Sequence, residues 1–253
     1  MRERFGLTAL LAIVSALAAV SCNESPSIPA ATYPTTYAAL PALERDALIA
    51  QFDHENPNYC ATLDAYGFTQ YSPVCTRQVE TVTCSNADQF IEQAKTDVLR
   101  NQRFTGVLHG EELRLWHYEC FESNYFPGIN IYFANQLWDD LEVIDTRLVV
   151  HLSDNGTWSI HGHHYPEIAV PPPTVSAKAA ERSLVGTTLT GSNEYIVKED
   201  SFVGSPVRVV YPLQAEDRIE LRVTWSINVA NTWIVFVDSV TGEEVAVSPQ
   251  FRD

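Results

Sequence analysis

The sequence predicts an α+β fold in which helices lie on antiparallel sheets. Two spacings of apolar residues support this: a helical spacing before Arg103 and a spacing of two after it. A third observation is the regular alternation of apolar and polar residues from Ile219 to Val229, which is typical of a strand with one buried face. The helical stripe consists of Phe90, Ile91, Ala94, Val98 and Leu99.

The N-terminal residues have the pattern of an export signal. Arg2 and Arg4 precede an apolar run from Leu7 to Val20 that is too short to span a bilayer. Small residues lead into Cys22, which resembles the lipobox of bacterial lipoproteins, although Ala19 stands where that pattern prefers leucine. We therefore expect a signal peptide over 1–21 and a lipid on Cys22. The lipid would anchor an exported protein to the outer membrane or to the periplasmic face of the envelope. The alternative is ordinary cleavage nearby, which would release a secreted protein.

Charge excludes several classes of partner. The chain carries a net charge of −16, and removal of Arg2, Glu3 and Arg4 with the signal leaves 31 acidic and 14 basic residues, a net of −17. Such a surface repels nucleic acid phosphates and anionic lipids. We expect a protein partner, no nucleic acid, and contact with the membrane only through the lipid anchor.

The odd number of cysteines supports a lipid anchor on Cys22. Of the five cysteines, a lipid on Cys22 leaves four, which can form two disulfides in an oxidising compartment. Three pairings are open, and we favour nearest neighbours, Cys60 with Cys75 and Cys84 with Cys120. No CxxC pair occurs in the sequence, which disfavours a zinc knuckle or a thioredoxin-like site.

The chain divides into segments of different composition. Residues 22–39 are rich in Pro, Ser and Thr, which indicates a lipidated cysteine followed by a flexible tether. Residues 40–128 form a helix and strand region that bears the cysteines, with a short helix near its start, irregular polar residues from 53 to 83, and a helix capped by Ser85. Pro171-Pro172-Pro173 precedes the last segment.

Residues 149–161 predict a hairpin. A three-residue loop, Asp154-Asn155-Gly156, would pair Leu152 with Trp158 and keep one apolar face intact, with Gly156 in a left-handed conformation. The same register pairs Val150 with Ile160 and places His151 and His161 on the outer face.

Three histidines follow within four positions. His161, His163 and His164 could supply imidazoles to zinc or copper. No neighbouring Asp, Glu or Cys completes such a site, and Gly162 lets the chain bulge so that the side chains separate. We therefore predict a solvated strand end, with no metal and no cofactor.

The last segment predicts a helix and an antiparallel meander. Ser176 caps a helix from Ala177 to Val185, which Gly186 ends. The strand from Ile219 to Val229 has one solvated face, and the apolar run 233–237 should sit centrally. Asp238 and Gly242 bound the turn into the last strand.

Two stretches resemble known families. Val143 to Gly162 is similar without gaps to the fungalysin/thermolysin propeptide (FTP) domain, and Gln136 matches the family's glutamine upstream. Ile219 to Val247, with its VDSVTGE turn, resembles the PepSY domain that follows in those propeptides. The resemblance covers 129–249, roughly half of the chain. It departs from the pattern at Asp140 and Asp145, which replace glycines.

The resemblance implies cystatin-like helix-on-sheet units: an FTP-like hairpin region over 129–169 and a PepSY-like domain over 170–253. Such prodomains assist the folding of a peptidase and block its cleft. No HExxH motif occurs, since His54-Glu55 continues into Asn56-Pro57.

We expect no catalytic residues, because no GxSxG motif occurs either, and paired carboxylates such as Asp139-Asp140 are more simply solvated turns. The expectation is a module that binds, inhibits or helps to fold an exported metallopeptidase, through an exposed strand edge or loop. Trp138 is a candidate contact, with a core position as its alternative. The alternative function is an envelope protein-binding or spacer module without a peptidase partner.

Overall fold

A computed structural model of the chain describes residues 32–57, 59, 61–71, 84, 87–121, 128–153, 156–191 and 194–250. The signal peptide, Cys22, Cys60, Cys75, Ser85 and Asn155 lie outside these residues, so the predictions made for them stay predictions. Within the part of the chain that is described, no helix combines the length and the apolar character that crossing a bilayer requires.

The described residues form four α-helices, a short 3-10 turn at Gly110–Glu112, and fifteen strands. The helices are α1 (Ala42–Glu55), α2 (Ala87–Arg100), α3 (Gln102–Thr105) and α4 (Ala177–Leu184). The strands are β1 (Thr35–Ala38), β2 (Ala61–Leu63), β3 (Thr69–Tyr71), β4 (Leu115–Phe121), β5 (Gly128–Phe133), β6 (Leu137–Trp138), β7 (Leu141–Val143), β8 (Val149–Ser153), β9 (Gly156–His161), β10 (Thr188–Thr190), β11 (Glu194–Ile196), β12 (Val207–Gln214), β13 (Arg218–Val229), β14 (Trp233–Asp238) and β15 (Glu244–Pro249). The predicted α+β class is confirmed, and the finer cystatin-like arrangement stays a prediction.

A four-stranded antiparallel sheet, which we call sheet I, has the order β4-β5-β8-β9. Alternate side chains of its strands point towards α2, as the period of two requires. Ile91, Ala94 and Val98 of α2 meet Ile131 and Val150 in one buried cluster. The stripe predicted for the helix is thus the surface that packs on the sheet.

A disulfide joins Cys84 to Cys120, the pairing that the sequence favours for these two cysteines. Cys120 belongs to β4, and Cys84 precedes α2 by three residues. The bond therefore ties the chain at the start of the helix to the strand at one edge of sheet I.

The hairpin of β8 and β9 follows the predicted register only in part. The pairing of Leu152 with Trp158 is wrong, because a bulge places Leu152 opposite Thr157 and the strands stay paired as far as Gly156. The predicted three-residue loop is therefore wrong as well. The bulge adds local twist while Leu152 remains buried in the core. The confirmed pairs are Val149 with His161, Val150 with Ile160, and His151 with Ser159.

The second sheet, sheet II, has seven strands in the order β15-β14-β13-β12-β7-β6, with β1 beside β13. Only the pairing of β12 with β7 is parallel within this sheet as described. The apolar run 233–237 lies in β14, between β13 and β15, as predicted. The predicted division at 129–169 differs from this arrangement. β6 and β7 lie within that range, but they pair with β12 and belong to sheet II, whereas β8 and β9 belong to sheet I.

One face of β13 contributes to two buried clusters. Residues at its start pack with the segment that follows β9, and residues at its end pack beneath α4. Ser176 caps α4 as predicted, accepting a hydrogen bond from Ala179 N at 3.2 Å. The two groups on β13 are Ile219, Leu221 and Val223, and Ile227 and Val229.

The other face of β13 is not the solvated face that the sequence predicts. Thr224 is fully buried, and Glu220 nearly so. Arg222 explains the burial of Glu220, because its guanidinium binds Glu220 Oε2 at 2.5 Å and also reaches Asp238 Oδ2 at 3.2 Å. Charged side chains that pair with one another can be buried away from water. The alternation of apolar and polar residues in the sequence does not reveal such pairing.

The tether predicted over 22–39 is wrong at its C-terminal end, where Thr35–Ala38 forms β1 against β13. Two tyrosines hold this strand. The Tyr33 hydroxyl donates to Asp238 Oδ2 at 2.8 Å, and the Tyr37 hydroxyl donates to Glu167 O at 2.8 Å. Likewise, the residues expected to be irregular from 53 to 83 include the β2–β3 hairpin.

Three aspartates adopt left-handed backbone conformations. Asp139, Asp140 and Asp145 have φ values of 48°, 62° and 60°. Asp140 and Asp145 are the positions where the family resemblance expects glycine. Aspartate tolerates this region better than most residues, so these turns can adopt a left-handed conformation without glycine.

Replacing both disulfide cysteines, Cys84→Ser with Cys120→Ser, should lower the free energy of unfolding by about 3–4 kcal/mol. The bond closes a sequence separation of 36 residues, and its loss frees the unfolded chain. Urea denaturation would measure the change, with the far-ultraviolet circular dichroism spectrum as the control for a retained fold. An unchanged urea midpoint would show that the bond does not stabilise the fold.

Candidate functional site

The edge strand β4 exposes an unusual number of large apolar side chains. We call Leu115, Trp116, Tyr118 and Phe121 the β4 strip; their exposed fractions are 44%, 57%, 43% and 40%. β4 pairs with β5 on one side and, among the described residues, with no strand on the other. In the part of the chain that the structure describes, its outer edge therefore combines apolar surface with backbone groups that no strand pairs, the combination that accepts an added strand.

Trp116 is held in place although it is exposed. The register of β4 against β5 shifts between Leu115 and His117, so Trp116 is the extra residue of a bulge, which redirects its side chain. The Arg147 guanidinium lies 3.9 Å from the centre of the indole, and Tyr132 meets it edge-on at 6.2 Å. Such contacts lower the entropy that the ring would lose on binding.

The sequence analysis expected an exposed strand edge with Trp138 as a candidate contact. The β4 strip is such an edge, but the tryptophan that it exposes is Trp116. Trp138 is partly buried against the cluster that includes Val143 and Tyr165, which is the core alternative. The signal that could have indicated Trp116 is the aromatic run LWHYECF at 115–121, in which large residues occupy successive positions of the strand. Only the strand order shows that this run lies at an edge.

The histidine segment is not the solvated strand end that the sequence predicts. His164 is fully buried, with its Nδ1 3.6 Å from Glu112 Oε2. His163 stacks on Phe68, with ring centres 4.2 Å apart. His161 lies on the outer face of sheet I, 5.1 Å from the ring of His151. Elements distant in sequence cover these rings, which is why local polarity did not reveal their burial.

Two glycines allow this segment to approach other parts of the backbone. Gly162 has a φ of 87°, and a Cβ there would lie 2.1 Å from Arg147 O. A Cβ on Gly106 would lie 1.9 Å from His164 O. Gly162 also turns the chain as expected, so the three imidazoles point to different surroundings. Across the described residues, no group of three His, Cys, Asp or Glu side chains is placed to hold a metal ion.

Gln136 fixes the end of the histidine segment. Its side chain donates from Nε2 to Tyr165 O at 2.8 Å and accepts on Oε1 from Tyr165 N at 2.9 Å. This is the pair of bonds that a neighbouring strand would make. The glutamine noted in the family resemblance thus has a definite structural role in this chain.

The turn after β14 has the residues that the sequence assigns to it. Asp238 Oδ1 accepts from Val240 N at 2.8 Å and from Thr241 N at 3.0 Å, and Gly242 has a φ of 80°. At the other predicted turn, Gly156 begins β9 and Asn155 is outside the described residues.

Acid should destabilise the fold between about pH 6.5 and pH 4. Burial lowers the pKa of His151, His163 and His164 to about 4, with smaller contributions from the charges of His161, His164 and Arg114 respectively. The unfolded chain, with histidine near pKa 6.5, therefore binds protons first. The stability is fully present above pH 6.5 and is lost as the pH falls through the folded values. Urea denaturation at stepped pH would measure it.

The variant His163→Phe should make this dependence shallower, because it removes one buried base and keeps a ring against Phe68. His54→Asn is the matched control, because it removes an imidazole at an exposed position of α1. A free energy of unfolding that is the same at pH 7 and pH 4.5 would contradict the burial of these imidazoles.

No protein-family model matches the chain, and no curated protein matches it. Among solved structures, the chain is similar to the Bacillus megaterium YpeB C-terminal domain, with 12% sequence identity, 76% of each chain covered and a TM-score of 0.33. A likeness of this size is too slight to carry a conclusion about fold or function.

Proposed function

We propose that this protein is a non-catalytic, lipid-anchored envelope module that binds an exported metallopeptidase. The observation that carries the proposal is the β4 strip, four exposed apolar side chains on a strand that has, among the described residues, no strand partner on its outer side. A single exposed apolar residue is ordinary, but four on one edge strand are typical of a protein-contact surface. A spacer without a partner has no use for such an edge.

The contact uses strand addition. An extended segment of the partner pairs with the regular part of β4 after the bulge, and its side chains cover Tyr118 and Phe121. Trp116 is the anchor, because a large aromatic ring held by Arg147 loses little freedom on binding. Backbone pairing supplies affinity, and the aromatic strip supplies selectivity.

The identity of the partner rests on the resemblance of residues 129–249 to FTP and PepSY prodomains. In this proposal the protein acts on a separate peptidase chain, slowing it or helping it to fold. Gln136 supports the FTP part of the resemblance, since the matched residue has a structural role. The turn at Asp238 supports the PepSY part, because the VDSVTGE stretch forms the compact connection between β14 and β15.

The proposed location of the protein in the cell envelope rests on residues 1–22. In the proposal, signal cleavage before Cys22 and lipidation of that cysteine anchor the protein to the envelope, and the net charge keeps the rest of it away from anionic lipid. Residues between Cys22 and β1 tether the folded part to the anchor.

When the purified protein is titrated against several thermolysin-type peptidases, it should slow their hydrolysis of peptides at micromolar concentration. Trp116→Ala should raise the inhibition constant about thirtyfold, because truncating an anchor of this kind costs about 2 kcal/mol or more. Leu115→Ala should raise it by a smaller factor. Leu43→Ala is the matched control, since Leu43 is 87% exposed on α1, outside the strip.

The outcomes separate the two parts of the proposal. If the unaltered protein slows none of the enzymes, inhibition of a metallopeptidase is rejected. If it slows one of them and Trp116→Ala slows it equally, the β4 strip is rejected as the contact. Thermal unfolding of each variant checks that the fold is retained.

Lipidation has its own test. Cells grown with a labelled palmitate should label the protein, and Cys22→Ala should abolish the label because that thiol is the attachment point. The Cys84→Ser and Cys120→Ser pair is the control and should carry as much label per molecule of protein as the unaltered protein. An unlabelled protein in the culture medium would instead favour the secreted alternative.

A further inference from the structure

A pocket of about 690 Å³ lies away from the β4 strip, where α1, the β2–β3 hairpin and sheet II meet. Its volume lies in the range of small-ligand sites. Segments from across the chain form its wall. They include Arg45 of α1, Asp64 and Tyr66 of the hairpin, Asp145 after β7, and His163 and Tyr165 after β9.

The pocket carries negative charge. Asp46, Asp64 and Asp145 line it together with a single Arg45, which leaves two net negative charges. Burial raises the pKa of Tyr165, and the Asp64 carboxylate raises it further, so that carboxylate lies near the phenol. The chain's net charge of −16 also attracts cations towards the surface.

Asp64 is a fixed member of this wall. Its Oδ1 accepts from Tyr66 N at 2.8 Å and from Phe68 N at 2.9 Å, within the turn of the β2–β3 hairpin. Two backbone donors hold the carboxylate in one orientation. A ligand would therefore meet a charge that needs no reorganisation on binding.

His163 supplies a polar atom without a partner. Its ring stacks on Phe68 and meets Tyr165 edge-on at 4.9 Å. Nε2 is shielded from solvent and makes no hydrogen bond to any described residue. With its proton on Nδ1, the neutral ring offers Nε2 as an acceptor, and a buried polar atom of this kind is normally paired.

We propose that this pocket binds an alkylammonium group, as carried by a free diamine or by a lysine side chain of a peptide. Asp64 and Asp145 neutralise the charge, and a small shift of the His163 ring, whose Nε2 is shielded before binding, lets that nitrogen accept a hydrogen bond from the ammonium. The rings of Tyr66 and Tyr165 provide aromatic surface of the kind that attracts organic cations. The two net negative charges match a diamine better than a single amine.

Isothermal titration calorimetry of the purified protein with putrescine tests the proposal. Putrescine should bind, and 1,4-butanediol, which has the same chain length without charge, should not. Nα-acetyl-lysine methylamide is the second arm. Tighter binding of putrescine indicates a free diamine as the ligand, and tighter binding of the lysine amide indicates a peptide side chain.

The variant with Asp64→Asn and Asp145→Asn should weaken putrescine binding by about tenfold or more. Asparagine at 64 can still accept both backbone bonds, and asparagine at 145 tolerates the left-handed conformation. The matched control carries Asp139→Asn and Asp140→Asn. It has the same change in charge, and both of its residues share the left-handed backbone conformation of Asp145, in a turn outside the pocket lining.

Absence of binding by both amines overturns the proposal, as does equal binding of butanediol. An equal loss in the Asp139 and Asp140 control also overturns it, because net charge alone would then explain the affinity. Trp116→Ala should bind putrescine normally, so the result is separate from that of the β4 strip.

Discussion

The hydrogen bonds of Gln136 are the constraint on which the placement of the two sheets depends. The buried side-chain amide of Gln136 bonds both backbone groups of Tyr165. The backbone N–H of Gln136 donates to Thr146 Oγ1 at 2.8 Å, and its backbone carbonyl accepts from Val143 N at 2.9 Å. One residue therefore satisfies backbone groups at the point where the chain passes from sheet I to sheet II. Leaving such groups buried without partners costs about 1–3 kcal/mol each, so this crossing has little freedom to move.

Local periodicity was sufficient for elements whose buried face repeats along a short stretch. The stripe of α2, the cap of α4 by Ser176 and the pairing of Val150 with Ile160 could all be predicted, because each depends on neighbours within one helix or hairpin. The burial of Thr224 could not. Nor could the burial of Asp238, whose carboxylate accepts from Arg222 of the neighbouring strand and from the Tyr33 hydroxyl, which comes from far along the chain.

The candidate site was predictable in kind but not in position. An exposed edge was expected, yet whether β4 is an edge is decided by strand order, which pairing between distant segments determines. The pocket carries even less local signal, since Asp64, Asp145 and His163 lie in unrelated sequence contexts. Asp145 has a left-handed backbone conformation that glycine adopts more readily, and its side chain brings a charge to the pocket wall that glycine would not bring.

Sheet II recruits strands from three regions of the chain: β1 near its start, β6 and β7 from the middle, and the rest from the last third. A fragment that begins after Pro173 therefore lacks three of the seven strands of that sheet. In that fragment β12 would have an unpaired edge where β7 had been, and Leu221 would lose its pairing with β1. Boundaries drawn along the linear sequence thus cut through a single hydrogen-bonded layer, and expression of the last third by itself would favour association between chains.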